Sequence, residues 1–127
     1  MRPATTLALG LLVAAIFVAG LVSILNQISE NRLDKSYIFH RIPAPWIQIR
    51  IMKILSILGS NNKEASLQMY EVLREVARRS DNGNQTGNSV LYEAIRCISL
   101  IYPNRVLLSN ASDYAETMLT SLMSPKT

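Results

Sequence analysis

The chain has 127 residues, 49% of them hydrophobic and only 17% charged, with a formal net charge of +4. That length fits one domain able to bury a real core, and the composition excludes a disordered chain. The cations are scattered apart from Arg78–Arg79, which is no nucleic-acid footprint, and a single cysteine excludes a disulfide framework.

Residues 5–27, "TTLALGLLVAAIFVAGLVSILNQ", carry no charge. A bilayer needs about 20 such residues. Three readings stay open for residues 1–30 as a hydrophobic N-terminal helix. It is a transmembrane segment, a signal peptide, or a helix buried in a larger helical protein. A signal peptide would use Arg2 as its basic start and Val18-Ala19-Gly20 as its cleavage site. Arg32, Lys35, Arg41, Arg50 and Lys53 all follow the run, so a spanning helix would leave the remainder in the cytosol.

Residues 31–44 read as a connector. Pro43 and Pro45 fix the backbone there, and the residue before a proline avoids helical angles, so Ala44 is expected to be extended. Pro45 suits the first position of a helix reaching Leu58, with Gly59 left-handed at its end. Its stripe is Ile47, Ile51, Ile54, Leu55 and Leu58, but Trp46, Ile49, Met52 and Ile57 make the other sides apolar too. A helix apolar on several sides suits an inner element of a stack. Trp46 is expected in the core or stapling the helix start.

The next helix should begin after Asn61–Asn62, either of which can cap it, with Met69, Val72, Leu73 and Val76 buried. Glu64 at its start and Arg78–Arg79 at its end match the helix dipole, and Glu75 can reach either arginine. "SDNGNQTG", residues 80–87, reads as a loop. Asn88 then caps a helix carrying Leu91, Ala94, Ile95, Ile98 and Tyr102 on one face, ended by Pro103. The last helix places Leu107, Ala111, Tyr114, Ala115, Met118 and Leu122 in register and stops near Pro125. No strand is expected, "YIF" being too short. The fold class is therefore all-α, about five helices in antiparallel pairs, with residues 45–127 a helical-repeat segment in the HEAT and armadillo size range.

Chemistry is sparse. One histidine and one cysteine argue against a zinc site, and Cys97 reads as a packing thiol. His40 suits a surface or capping role. Gly83 and Gly87 lack the Lys-Ser/Thr of a phosphate loop. The sequons at Asn84 and Asn110 read as chance, Asn110 lying inside a predicted helix. No catalytic, cofactor-binding or metal-ligating residue is expected, no cofactor, and no enzyme activity.

Residues 21–125 resemble a known family. "LVSILNQ", "YIFHRIPAPWIQIRIMKILSILG", "ASLQMYEVL", "TGNSVLYEAIRCISLIYPN" and the final "SP" are similar to the adaptins, the large subunits of clathrin-adaptor-type complexes. The likeness is strongest to the epsilon branch, that of the fourth adaptor-protein complex. In that family a "PAPFIQIKLLKIL"-like helix follows a connector, and a "GNAILYE"-like segment opens a later one. Here these are Pro43 to Leu55 and Gly87 to Glu93. The resemblance covers about four fifths of the chain and does not extend to residues 1–20. It implies a short piece of an α-solenoid trunk that scaffolds a vesicle coat in intracellular protein transport. Its partners would be other adaptor subunits, and its place the cytoplasmic face of trans-Golgi, Golgi or endosomal membranes. Membrane association would come through the coat or through residues 5–27. No nucleic acid or small-molecule substrate is implied. The alternative is a small membrane-anchored protein with a cytosolic helical domain.

Overall fold

The computed structural model describes residues 3–30 and 35–123. Five α-helices account for most of them: α1 (Pro3–Ser29), α2 (Pro45–Gly59), α3 (Lys63–Ser80), α4 (Gln85–Leu100) and α5 (Arg105–Met123). Between α1 and α2 a short 3₁₀ turn (Lys35–Tyr37) leads into a two-stranded hairpin, β1 (Ile38–Phe39) and β2 (Ile42–Pro43). Ile38 pairs with Pro43 and Phe39 with Ile42. This corrects the expectation that no strand forms. His40 and Arg41, both at positive φ, make the two-residue turn whose twist suits a hairpin.

The helices lie in two layers. One contains α1, α3 and α5, the other α2 and α4, and each helix packs on its neighbours within and across the layers. Within a layer the helices run parallel. Ser29, the last residue of α1, shares a cleft with Ser80, the last of α3, while Leu12 and Ala15 face Ala65 at the start of α3. Likewise Gly59 at the end of α2 lies against Ile101 just past α4. Successive helices cross between layers over short links and reverse direction. This arrangement is an all-α solenoid segment.

Each helix start follows from local chemistry. Asn62, Asn84 and Asn104 accept hydrogen bonds from the backbone N–H groups of Ala65 (3.1 Å), Gly87 (2.7 Å) and Leu107 (3.0 Å). Each cap satisfies a donor that the helix leaves free, an effect of about 1 kcal/mol. The α4 cap is thus Asn84, not Asn88, and Gln85 to Gly87 belong to the helix rather than to a loop. The α2 start also differs from expectation. Ala44 is left-handed at φ 40°, not extended. Its N–H donates to Tyr37 O at 2.6 Å, and its carbonyl accepts from Ile47 and Gln48, so the chain turns sharply from hairpin to helix.

The core runs between the layers. Met69, Val72, Leu73 and Val76 of α3 are all buried, as the sequence pattern requires. They meet Met52 and Leu55 of α2, Leu91, Ala94, Cys97 and Ile98 of α4, and Leu107 and Ala111 of α5. Val18, Leu25 and Ile28 of α1 complete it. The buried face of α2 is rotated from the expected stripe. Gln48, Ile51, Met52, Leu55, Ser56 and Gly59 are buried, Ile47 and Leu58 are half-buried, and Ile54 is 40% exposed. Gln48 tolerates burial because its Nε2 donates to Pro43 O at 2.7 Å, and Ser56 because its hydroxyl donates to Lys53 O at 2.6 Å. Trp46 stands 46% exposed, outside the core. Tyr114, Ala115 and Met118 are half-buried; the Leu122 side chain and Pro125 fall outside what is described.

Gly59 is the last residue of α2 but is not left-handed. A Cβ there would sit 2.5 Å from Ile101 Cγ2 and 3.1 Å from Met69 Sδ, so glycine permits the close approach of α3 and of the residue that follows α4. Asn61, at φ 56°, takes the left-handed turn instead. Beside it, Ser66 Oγ donates to Gly59 O (2.9 Å) and accepts from Tyr102 N (3.0 Å). Tyr70 Oη donates to Tyr102 O at 2.6 Å. Tyr102, expected on the α4 face, lies beyond the helix end and is held there by its backbone.

Candidate interaction surfaces

Among the described residues no cluster of His, Cys, Asp and Glu could hold a metal ion. Cys97 is fully buried, and burial pushes its thiol up to about 12, so it carries no thiolate at neutral pH. His40 is exposed in the hairpin turn, its ring edge-on to Phe39, and its carbonyl accepts from Asn84 Nδ2 at 3.0 Å. Asn84 is therefore a helix cap tied to the hairpin, and Asn110 lies half-buried within α5.

What the fold does present is helix faces of contrasting chemistry. On α3 the outer face is charged and internally paired. Arg74 pairs with Glu71 at 2.6 Å, while Glu75 accepts from Arg78 at 2.6 Å and Arg79 at 2.7 Å. Those two guanidinium groups hold the Glu75 carboxyl down at about 2. A polar cleft of about 520 Å³ continues from this face to Asp113 and Tyr114 of α5.

The α2–α4 side differs. Trp46, Arg50, Lys53 and Ile57 follow one another at helical spacing along the exposed side of α2, and Tyr92, Arg96 and Leu100 along α4. No Asp or Glu occurs in α2. The one acid of α4, Glu93, is buried and accepts from Arg96 Nη2 at 2.8 Å and Nε at 3.0 Å. The exposed side of this layer is thus cationic and apolar. Sequence reasoning took Ile54 for core and Trp46 for core or a staple of the helix start, and missed this face, because α2 is apolar nearly all round. The signal that could have found it was the spacing of the two cations, Arg50 and Lys53.

The third surface is α1. Residues 4–13, together with Ile16 and Phe17, are exposed and almost wholly apolar, whereas Val18, Leu25, Ile28 and Ser29 are buried in the core. Helix α1 is long and apolar enough to cross a membrane. Before Val18 most of its side chains face outward, yet Leu12 and Ala15 still line a hollow with Asn62 and Ala65 at the start of α3, so the helix is docked along much of its length.

These helices match known sequences closely. The chain is 49% identical over 104 residues to the AP-4 complex subunit epsilon of Arabidopsis thaliana, covering 82% of this chain and 11% of the relative. Through that segment the chain belongs to the adaptin family. It is 43% identical over 96 residues to the AP-4 complex subunit epsilon of Dictyostelium discoideum, covering 75% of this chain and 9% of the relative. With the AP-1 complex subunit gamma-2 of Arabidopsis thaliana the identity is 34% over 94 residues, covering 72% and 11%. The chain spans about a tenth of the length of these curated relatives. No protein-family model matches it. The relatives are named as subunits of adaptor complexes, and the adaptin resemblance drawn from the α2 and α4 motifs agrees with them.

Proposed function

We propose that this chain is a scaffold segment of a vesicle coat adaptor complex, acting in vesicle-mediated intracellular protein transport through protein–protein contacts and without chemistry of its own. Residues 45–127 are the adaptin-like repeat segment in this reading, residues 31–44 the connector, and residues 1–30 the apolar N-terminal helix. The observation that carries it is the 49% identity to an adaptor-complex subunit across most of a two-layer helical array. A stacked array with exposed helix faces and no cluster of potential metal ligands among the described residues suits a scaffold better than a catalyst. Its partners are other adaptor-complex subunits, and its place is the cytoplasmic face of Golgi, trans-Golgi or endosomal membranes. Expressed with a tag in cells, the chain should co-purify with adaptor subunits. Recovery of well-folded chain without them contradicts the proposal.

A second reading rests on the exposed apolar turns of α1. In it residues 5–27 anchor a helical domain to a bilayer. Spanning would pull Val18 and Leu25 out of the core, so the anchored and docked positions of α1 exclude one another. Carbonate extraction distinguishes them: release of the chain supports the docked form, and retention in the membrane pellet supports the anchor.

A further inference from the structure

The furrow between α2 and α4 carries an inference of its own. Lys53, Ser56 and Ile57 of α2, with Ser60 just past its end, line one side, and Arg96 and Leu100 of α4 the other, around a volume of about 580 Å³. Ile57 is 76% exposed and Leu100 47%, so two large aliphatic side chains meet water at the furrow's end. A cation stands on each wall: Lys53 on α2, which has no acid of its own, and Arg96 on α4, whose Nε and Nη2 already donate to the buried Glu93. The Ser56 hydroxyl is engaged by its own helix and offers no donor to a ligand. With Gly59 set against Ile101, Arg50 and Tyr92 fall at the same level further along, extending the cationic and amphipathic character. Every exposed charge on α2 and α4 is positive.

We propose that this furrow binds an acidic polypeptide segment that presents a carboxylate to Lys53 and an apolar side chain to Ile57 and Leu100. Charge complementarity selects the acid, and the aliphatic pair supplies the anchor. An acidic bilayer would meet the same charges, and the vesicle arm of the test separates it from a polypeptide. Where the chain works as an adaptor scaffold, this is the face on which an acidic segment of a partner would lie. The binding itself does not depend on that reading.

The experiment is a titration of the full chain with a synthetic Glu/Leu amphipathic peptide about three turns long. A Lys/Leu peptide of the same pattern and vesicles of phosphatidylserine and phosphatidylcholine serve as comparisons. The Glu/Leu peptide binds, more weakly as salt rises, and the other two do not. The double variant Lys53→Glu, Ile57→Ser weakens binding by about tenfold or more. Both positions are solvent-exposed, so its melting curve stays that of the parent. Arg74→Glu, on the α3 face, leaves the affinity unchanged. No binding of the Glu/Leu peptide, equal binding of the Lys/Leu peptide, binding of vesicles alone, or an unaltered affinity in the double variant overturns the proposal. Co-purification with adaptor subunits by a chain that ignores the peptide leaves the scaffold function standing and removes only the furrow.

Discussion

The two layers bury similar apolar side chains and yet meet water in opposite ways. Helix α3 pairs its three arginines with Glu71 and Glu75 in i,i+3 and i,i+4 contacts, whereas α2 shows Arg50 and Lys53 beside exposed tryptophan and isoleucine with no acid near in sequence. A paired, screened face gains little from a partner. A cationic face with exposed aliphatic side chains gains both Coulomb attraction and burial. The comparison teaches that the inner faces make this a stacked array, while the outer faces decide which side of the stack is offered to other molecules.

Removing α1 should have the largest effect. Deletion of residues 1–30 uncovers the α3 surface that Val18, Leu25 and Ile28 cover, a loss of about 5 kcal/mol at about 1.5–3 kcal/mol for each large side chain. The remaining chain should melt early or associate, as sedimentation would report; a monomer with an unchanged transition breaks the comparison at its first layer. Next comes Leu91→Ala in the α2–α4 layer, expected to cost about 2–5 kcal/mol by denaturant titration. Ile54→Ala, on the exposed side of the neighbouring helix, should cost less than about 1 kcal/mol. Equal losses would mean that the rotation of α2 is wrong. Ser66→Ala leaves the Tyr102 N–H without its acceptor, while the Gly59 carbonyl keeps the Asn62 N–H at 3.2 Å, and should lower stability by about 1–3 kcal/mol. Smallest is Glu75→Gln, below about 1 kcal/mol at neutral pH, because the triad is part-exposed and screened. Its sign in pH is fixed. The folded carboxyl is held at about 2 against an ordinary 4.5, so the contribution is complete above pH 4.5 and fades as pH falls toward 2. The difference between parent and variant should therefore vanish in acid and shrink in salt.

Legibility in the sequence followed the contrast between faces. Helix α3 has charged residues outside and aliphatic ones inside, so period alone identified all four stripe residues. Helix α2 is apolar on every side, and several stripes fit it equally well. The choice that included Ile54 missed Gln48 and Ser56, two polar residues whose burial depends on backbone acceptors that no pattern displays. The α4 cap was misplaced for a related reason. Asn82, Asn84 and Asn88 all suit a helix start, and only the approach of the Gly87 N–H selects Asn84. The hairpin turn at His40–Arg41 has neither asparagine nor glycine to announce it. The contrasting outer faces, which carry the functional argument, became visible only once the rotation of α2 and the burial of Glu93 were known.

The docking of α1 along α3 can be measured directly by thiol labelling in aqueous buffer. Cys97 is buried and stays silent in the folded chain, so introduced cysteines report alone. Val18→Cys sits in the core and should label only as fast as the whole chain unfolds, while Val13→Cys on the exposed side of the same helix should label at once. Equal and rapid labelling at both positions would show α1 detached from the array and would contradict the layered fold.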